Sequence, residues 1–349
     1  MKAPTFWWDR TPGAIARLLM PFGWLYGTIT TIRMKRAGYR APVPVLCIGN
    51  FTAGGAGKTP TTIALAEAMA AGGEFPVILT RGYGGTARGV TVVVPAIHDA
   101  RTVGDEALLL ARIAPTVVAS DRVAGAEAAA RAGASVILMD DGLQNPSLAK
   151  DVSIAVVDGA VGFGNGLCLP AGPLRAPVEQ QAPLVDALVA IGMGHGLTQA
   201  VAAGSVSGRP VFRAELGVSD AVAEQFAGKR VLAFAGIGRP EKFFDTLMSL
   251  YVKIEIARPF GDHHAYSDAE AEELMATAAA RGLALVTTSK DHVRLAGSPA
   301  LERLKAATEP LPVQLTLPDG LIALVRDRIS LARGGGSAKL QASHRPPDA

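Results

Sequence analysis

Three observations predict an α/β fold, a mostly parallel sheet with helices on both faces. From Pro44 onward, short runs of valine, isoleucine and leucine alternate with alanine-rich stretches of helical length. A glycine-rich loop joins the first of those runs to the first such helix. After a glycine- and proline-rich stretch from Gly162 to Pro177 the alternation resumes, which predicts a second, smaller α/β unit.

The first element expected is an N-terminal helix. Ile15, Leu18, Leu19, Phe22, Leu25, Tyr26 and Ile29 recur at helical spacing, while Arg17 and Pro21 interrupt the run, so it reads as amphipathic rather than as a membrane span. Around it Lys2, Arg10, Arg17, Arg33, Lys35, Arg36 and Arg40 face one acid, Asp9. Such a helix could lie at an anionic membrane surface with Trp7, Trp8 and Trp24 at headgroup depth. Packing on its own domain would give the same period. Asp9 and Arg10, with no small-residue cleavage site after the apolar stretch, argue against a secretory signal.

Strands are expected at residues 45–49, 76–80, 90–94, 116–119, 136–139 and 153–158, and helices at 58–71 and 124–132. The second unit should hold strands at 211–214, 231–235, 252–257 and 283–287. Its clearest helix starts at Ser267, which with Glu270 has the spacing of a capping box, and runs to Arg281. The tail from Gly334 reads as disordered. The expected division is therefore 1–40, a membrane-associating helix; 41–205, a nucleotide-binding domain; 206–333, a C-terminal α/β domain; and 334–349, the tail.

A net charge of +3, with no basic stripe interleaved by aromatics, sets nucleic acid aside. Cys47 and Cys168 are the only cysteines, which excludes a disulfide framework or a cysteine-rich zinc site and fits a reducing compartment.

The chemistry starts at Thr52-Ala53-Gly54-Gly55-Ala56-Gly57-Lys58-Thr59, which follows an apolar strand and opens a helix, the context of a P-loop. Glycines let backbone N–H groups turn around phosphate oxygens, Lys58 brings charge to the outer phosphates, and Thr59 offers a hydroxyl to magnesium. Thr52 stands where the usual pattern begins with glycine. The fold class sharpens to a P-loop NTPase-like sheet. A second apolar strand ends in Asp140-Asp141-Gly142, and carboxylates at that end of a parallel sheet face the ligand and can hold magnesium. Gly104-Asp105-Glu106 precedes a helical run, and Asp262-His263-His264 lies in the second unit. Phosphorylating an alcohol needs a carboxylate or imidazole near the hydroxyl, so Asp105 and His263 are candidate bases.

Read in order with Thr80-Arg81-Gly82-Tyr83-Gly84, Gly164-Asn165-Gly166, the stretch Leu169 to Arg175, Phe234 to Gly238, and Thr288 with Lys290-Asp291, these motifs resemble the tetraacyldisaccharide 4'-kinase family of lipid A biosynthesis over most of the chain. The resemblance implies transfer of the ATP γ-phosphate to the 4'-hydroxyl of a tetraacylated glucosamine disaccharide 1-phosphate, yielding lipid IVA. It further implies ATP and Mg2+ as cofactors, an acylated disaccharide lipid as partner, and work at the cytoplasmic face of the inner membrane. Carried over, Lys58 and Thr59 serve nucleotide and magnesium, Asp140 and Asp141 the metal region, and Asp105 with His263 the acceptor hydroxyl. No protein partner is expected. The chain departs from the family pattern at Ala176, where an acidic residue is common, and at Ser289, where glutamate is frequent. Arg81, Arg122, Arg175 and Arg239 are either phosphate contacts or ordinary surface.

Two other readings stand beside this one. A P-loop GTPase or ATPase switch would give conformational change instead of a phosphorylated product, and Thr288-Ser289-Lys290-Asp291 only superficially matches a guanine-reading motif. A soluble small-molecule kinase would use the same loop on a different acceptor.

Overall fold

The computed structural model describes residues 4–9 and 11–342; Lys2, Arg10 and residues 343–349 of the expected tail lie outside them. Thirteen strands are described: β1 (Val45–Asn50), β2 (Pro76–Thr80), β3 (Val90–Val92), β4 (Thr116–Ala119), β5 (Val136–Asp140), β6 (Val152–Asp158), β7 (Ala187–Ile191), β8 (Val211–Gly217), β9 (Arg230–Ala235), β10 (Lys253–Pro259), β11 (Ala284–Thr288), β12 (Thr308–Leu311) and β13 (Gln314–Thr316). They form a nine-stranded sheet ordered β13-β8-β7-β6-β1-β5-β2-β4-β3 and a four-stranded sheet ordered β10-β9-β11-β12. All pairings are parallel except β3 with β4 and β13 with β8, at the two edges of the large sheet.

Side chains alternate across the large sheet with period two. Cys47, Leu79, Ile137, Met139 and Val157 enter one core with Ala126 and Ala200 from helices. Leu46, Ile48, Ile78, Leu138 and Val156 enter the other, under Leu65 and Met69. The chain passes from β5 to β6 across β1, which makes the carboxyl end of β1 the switch point where a parallel sheet opens a crevice.

Two expectations about organisation are corrected. β8, assigned from sequence to the second unit, pairs with β7 in the large sheet. After β12 the chain returns to that sheet through β13 and a final helix, Asp319–Ala342, whose Leu321, Val325 and Ile329 complete its core. The second unit is thus an insertion between β8 and β13, not everything beyond residue 205. The final helix also carries residues 334–342, expected to be disordered, because glycine weakens a helix without terminating it and no proline intervenes.

The N-terminal helix, Ala14–Met34, runs through Pro21, and its small residues are the ones that pack. A Cβ on Gly23 would lie 2.6 Å from the Cys168 carbonyl oxygen, and one on Gly27 2.8 Å from the Cys168 Sγ. Ile15, Leu18, Phe22, Trp24, Leu25 and Ile29 are left exposed, Leu18 at 77% and Trp24 at 73%.

Candidate functional site

The loop after β1 enters its helix, Lys58–Ala71, through Gly57 at φ 95°. Gly57 is needed twice over, since a Cβ there would also come within 2.4 Å of Ile191 Cδ1 on β7. Gly54 turns at φ 107° with open space around it, leaving room for a ligand to approach the backbone. Thr52 explains its departure from the pattern: it is buried and bridges Leu174 as a strand extension, where no positive φ is required. The Ala53 N–H donates to the Pro173 carbonyl at 2.7 Å, so the first two residues of the motif anchor the loop to the segment from Cys168 to Arg175. Asn50 braces it from within, donating to the Gly54 carbonyl at 3.2 Å. Lys58 Nζ lies 3.4 Å from that same carbonyl and 3.9 Å from Asp141.

Asp140 ends β5 beneath this loop, fully buried, and accepts a hydrogen bond from Thr62 of the loop's helix at 3.0 Å. Burial first, then the charges of Glu106 and Asp141, push its carboxyl up to about 7. Asp141 sits at φ 52° and meets Arg175 in a fork, with contacts of 2.9 and 3.1 Å. Although burial alone would raise it, Lys58 and Arg175 hold the Asp141 carboxyl below its ordinary value. Among the described residues Asp140 has no ion-pair partner, and no three His, Cys, Asp or Glu side chains gather as a metal cage. The donors fit a hard cation that keeps water and phosphate oxygens in its shell: a carboxyl raised by burial and like charge is one that magnesium would ionise, and Asp141 follows it in the chain.

The second unit meets this crevice with the carboxyl ends of its own parallel strands. Asp105 opens the helix Asp105–Ala111 after Gly104, whose φ of 89° and 2.6 Å approach of a Cβ to the Tyr83 carbonyl allow only glycine. Its Oδ1 accepts the Glu106 N–H at 2.9 Å. His263, from the loop after β10, stands at φ 54° with Nδ1 3.1 Å from Asp105 Oδ2. Residues 158 positions apart are thereby brought together as the candidate base. Arg294 Nε donates to the same Oδ2 at 2.6 Å. Burial would raise the Asp105 carboxyl, but the His263 hydrogen bond and the charges of Lys290 and Arg294 hold it well below the usual carboxylate range.

Sequence reasoning missed Arg294, Lys242 and the partner of Arg239. Arg294 also donates to the Gly236 carbonyl and to Asp291, joining the segment after β9 and the one after β11 to Asp105. Asp158, at the end of β6, pairs with both Arg239 and Lys242, the latter at 2.9 Å. Burial lowers Lys242 to about 8. Charge spacing in the sequence offers no signal for these pairs. Of the other candidate arginines, Arg175 is taken by Asp141, and Arg122 is buried with its Nε unpartnered. Ala176 is buried, and Ser289 lies 3.4 Å from the Leu311 carbonyl. Thr288 caps Asp291, and Asp291 is buried against Arg294, so this stretch is not free to read a guanine base.

Known proteins resemble this chain over most of its length. The model of the family described as tetraacyldisaccharide-1-P 4'-kinase matches residues 15–330. A tetraacyldisaccharide 4'-kinase of Methylobacterium sp. (strain 4-46) is 52% identical over 96% of this chain and 99% of its own. One from Rhodopseudomonas palustris (strain HaA2) is 46% identical over 95% and 98%. A solved structure, the "apo" form of LpxK from Aquifex aeolicus in complex with ATP, superposes with a TM-score of 0.70 at 25% identity, covering 90% of this chain and 99% of that one.

Proposed function

We propose a division of labour among these residues from the premise that the chain belongs to the tetraacyldisaccharide 4'-kinase family. It is an ATP-dependent kinase of lipid A biosynthesis. The resemblance stated from the sequence is therefore borne out, and the switch and soluble-kinase readings fall away.

Lys58 and the N–H groups at the start of its helix hold the ATP phosphates, where charge and dipole both favour an anion. Thr59, Asp140 and Asp141 would hold magnesium, which would supply charge neutralisation for the phosphates. His263 takes the proton of the acceptor 4'-hydroxyl on Nε2. Asp105 accepts a hydrogen bond from Nδ1–H, fixing the tautomer and steadying the imidazolium that forms. Asp105 is itself a poor proton acceptor, since Arg294 and His263 favour its ionised form. The observation that carries this reading is the Asp105–His263 contact, made across the two units.

The acceptor's four acyl chains keep it in a bilayer, and the exposed apolar face of the N-terminal helix supports docking there. No helix among the described residues is long and apolar enough to cross a membrane, and the arrangement proposed is a helix lying along the surface. Its basic exit at Arg33, Lys35 and Arg36 suits an anionic cytoplasmic leaflet of the inner membrane.

The test follows γ-labelled ATP, magnesium and tetraacyl disaccharide 1-phosphate in mixed micelles. Wild type should label the lipid, Lys58→Ala should abolish transfer, and Asp105→Ala and His263→Ala should each cut it by roughly 10²-fold or more. Free phosphate without labelled lipid would overturn the proposed roles.

A further inference from the structure

His263 has two ring nitrogens, and both are engaged. Nδ1 faces Asp105, so the neutral ring carries its lone pair on Nε2. Lys290, from the turn after β11, places Nζ 3.3 Å from that Nε2 and 3.0 Å from Glu106 Oε1. Asp262 stands farther from Nε2, at 4.0 Å, and the Tyr83 ring covers the imidazole edge-on at 5.5 Å between centroids. An ammonium donating to the lone pair and an acceptor hydroxyl donating to it cannot share one site, since the hydroxyl must come within about 2.6–3.2 Å.

We propose that Lys290 is a mobile gate on the base: in the ligand-free enzyme its ammonium occupies Nε2 of His263, and it leaves for the phosphoryl oxygens when nucleotide binds. This rests on His263 being the base. Lys290 is suited to the move because it stands at the junction of the two units, held between His263 of its own unit and Glu106 of the nucleotide-binding unit. A lysine stem is flexible, and its ammonium prefers an anionic oxygen to a neutral imidazole. The gate joins the two units: Lys290 comes from the second, Glu106 from the first, and the phosphates that draw the ammonium over bind to the first. Base exposure is thereby coupled to nucleotide occupancy, which keeps His263 idle until a phosphoryl group is present to be transferred.

Diethyl pyrocarbonate reads the lone pair directly, because it acylates a neutral imidazole nitrogen, forming an N–C bond and releasing ethanol and carbon dioxide. The rate at His263 is followed by peptide mass in the full-length enzyme, in wild type, Lys290→Met and Lys290→Gln, each with its melting curve. Without ligand, both variants should label roughly tenfold faster than wild type, the occupancy lost with a charge-assisted hydrogen bond. With magnesium and the non-hydrolysable β,γ-methylene analogue of ATP, wild type and variants should label alike. The comparison at equal nucleotide cancels any shielding by the nucleotide itself. Lys290→Met should also lower kcat by more than it raises KM for the lipid. Equal labelling without ligand, or a difference that persists with the analogue, overturns the gate. Failure of the base assignment looks different: His263→Ala would then keep wild-type transfer.

Discussion

Replacing Arg294 by methionine tests the link that holds the second unit to Asp105. The Arg294 side chain is 6% exposed, and its carboxylate partners Asp105 and Asp291 are 5% and 0% exposed. Breaking a buried pair by removing one member costs about 3–5 kcal/mol, because the remaining charge is left uncompensated. Both acids keep other donors here: Asp105 has His263 and the Glu106 N–H, and Asp291 has Tyr266 at 3.0 Å and the Gly236 N–H at 2.9 Å. The expected loss is therefore about 3 kcal/mol, a large part of a typical net stability of about 5–15 kcal/mol. Urea unfolding should be read by far-UV circular dichroism, since all three tryptophans lie in the first 24 residues and fluorescence would report only that end. Asp105→Asn and the double variant complete a cycle whose coupling should be about 1–3 kcal/mol. The acid side supplies a sign: Asp105 titrates lower folded than unfolded, so its contribution is present above the ordinary carboxylate pKa of about 4 and is lost as pH falls below it. Arg294→Met should flatten that acid loss. A cost under about 1 kcal/mol, or strict additivity in the cycle, would refute the account.

Asp140→Asn should stabilise the metal-free protein at pH 8 while abolishing lipid labelling. The folded carboxyl, pushed up to about 7, makes ionisation costly above the unfolded pKa of about 4, so the gain of about 2 kcal/mol should shrink as pH falls below about 7 and vanish only below about pH 4; equal stability at pH 8 would contradict it. Gly23→Val should lower stability by about 1–3 kcal/mol and shift tryptophan emission, because its side chain meets the Cys168 carbonyl and Ala171 and lifts the helix; an unchanged melt would place the helix elsewhere. Leu18→Glu with Trp24→Glu should weaken co-sedimentation with anionic vesicles by roughly tenfold or more, leaving the melting curve unchanged; retained binding would show that this face does not meet lipid.

Much of the architecture was legible in the sequence because its signals are local. Short continuous apolar runs and glycine punctuation placed most strands of the large sheet to within a residue or two, and the P-loop helix at Lys58–Ala71 matched. The Ser267 capping box formed as its spacing implies, with Glu270 reaching back to the cap. β7 and the helix His195–Ser207 were missed, since a short apolar run followed by glycine-broken helix lacks a clear period.

The candidate site divides the same way. A P-loop and a strand-end Asp-Asp are contiguous motifs, and residue type alone names their chemistry. The sheet to which β8 belongs, the Arg294 link and the Lys290 contact on His263 depend on pairings between residues far apart in the chain. The N-terminal helix shows why such pairings escape a sequence: its apolar spacing was visible, but the face that packs was decided by Gly23 and Gly27 fitting against Cys168. The sequence by itself determined which segments fold and which motifs carry chemistry, because those follow from neighbouring residues. Only the tertiary structure decided partners, faces and the meeting of Asp105 with His263, because these follow from burial and register summed over the whole chain.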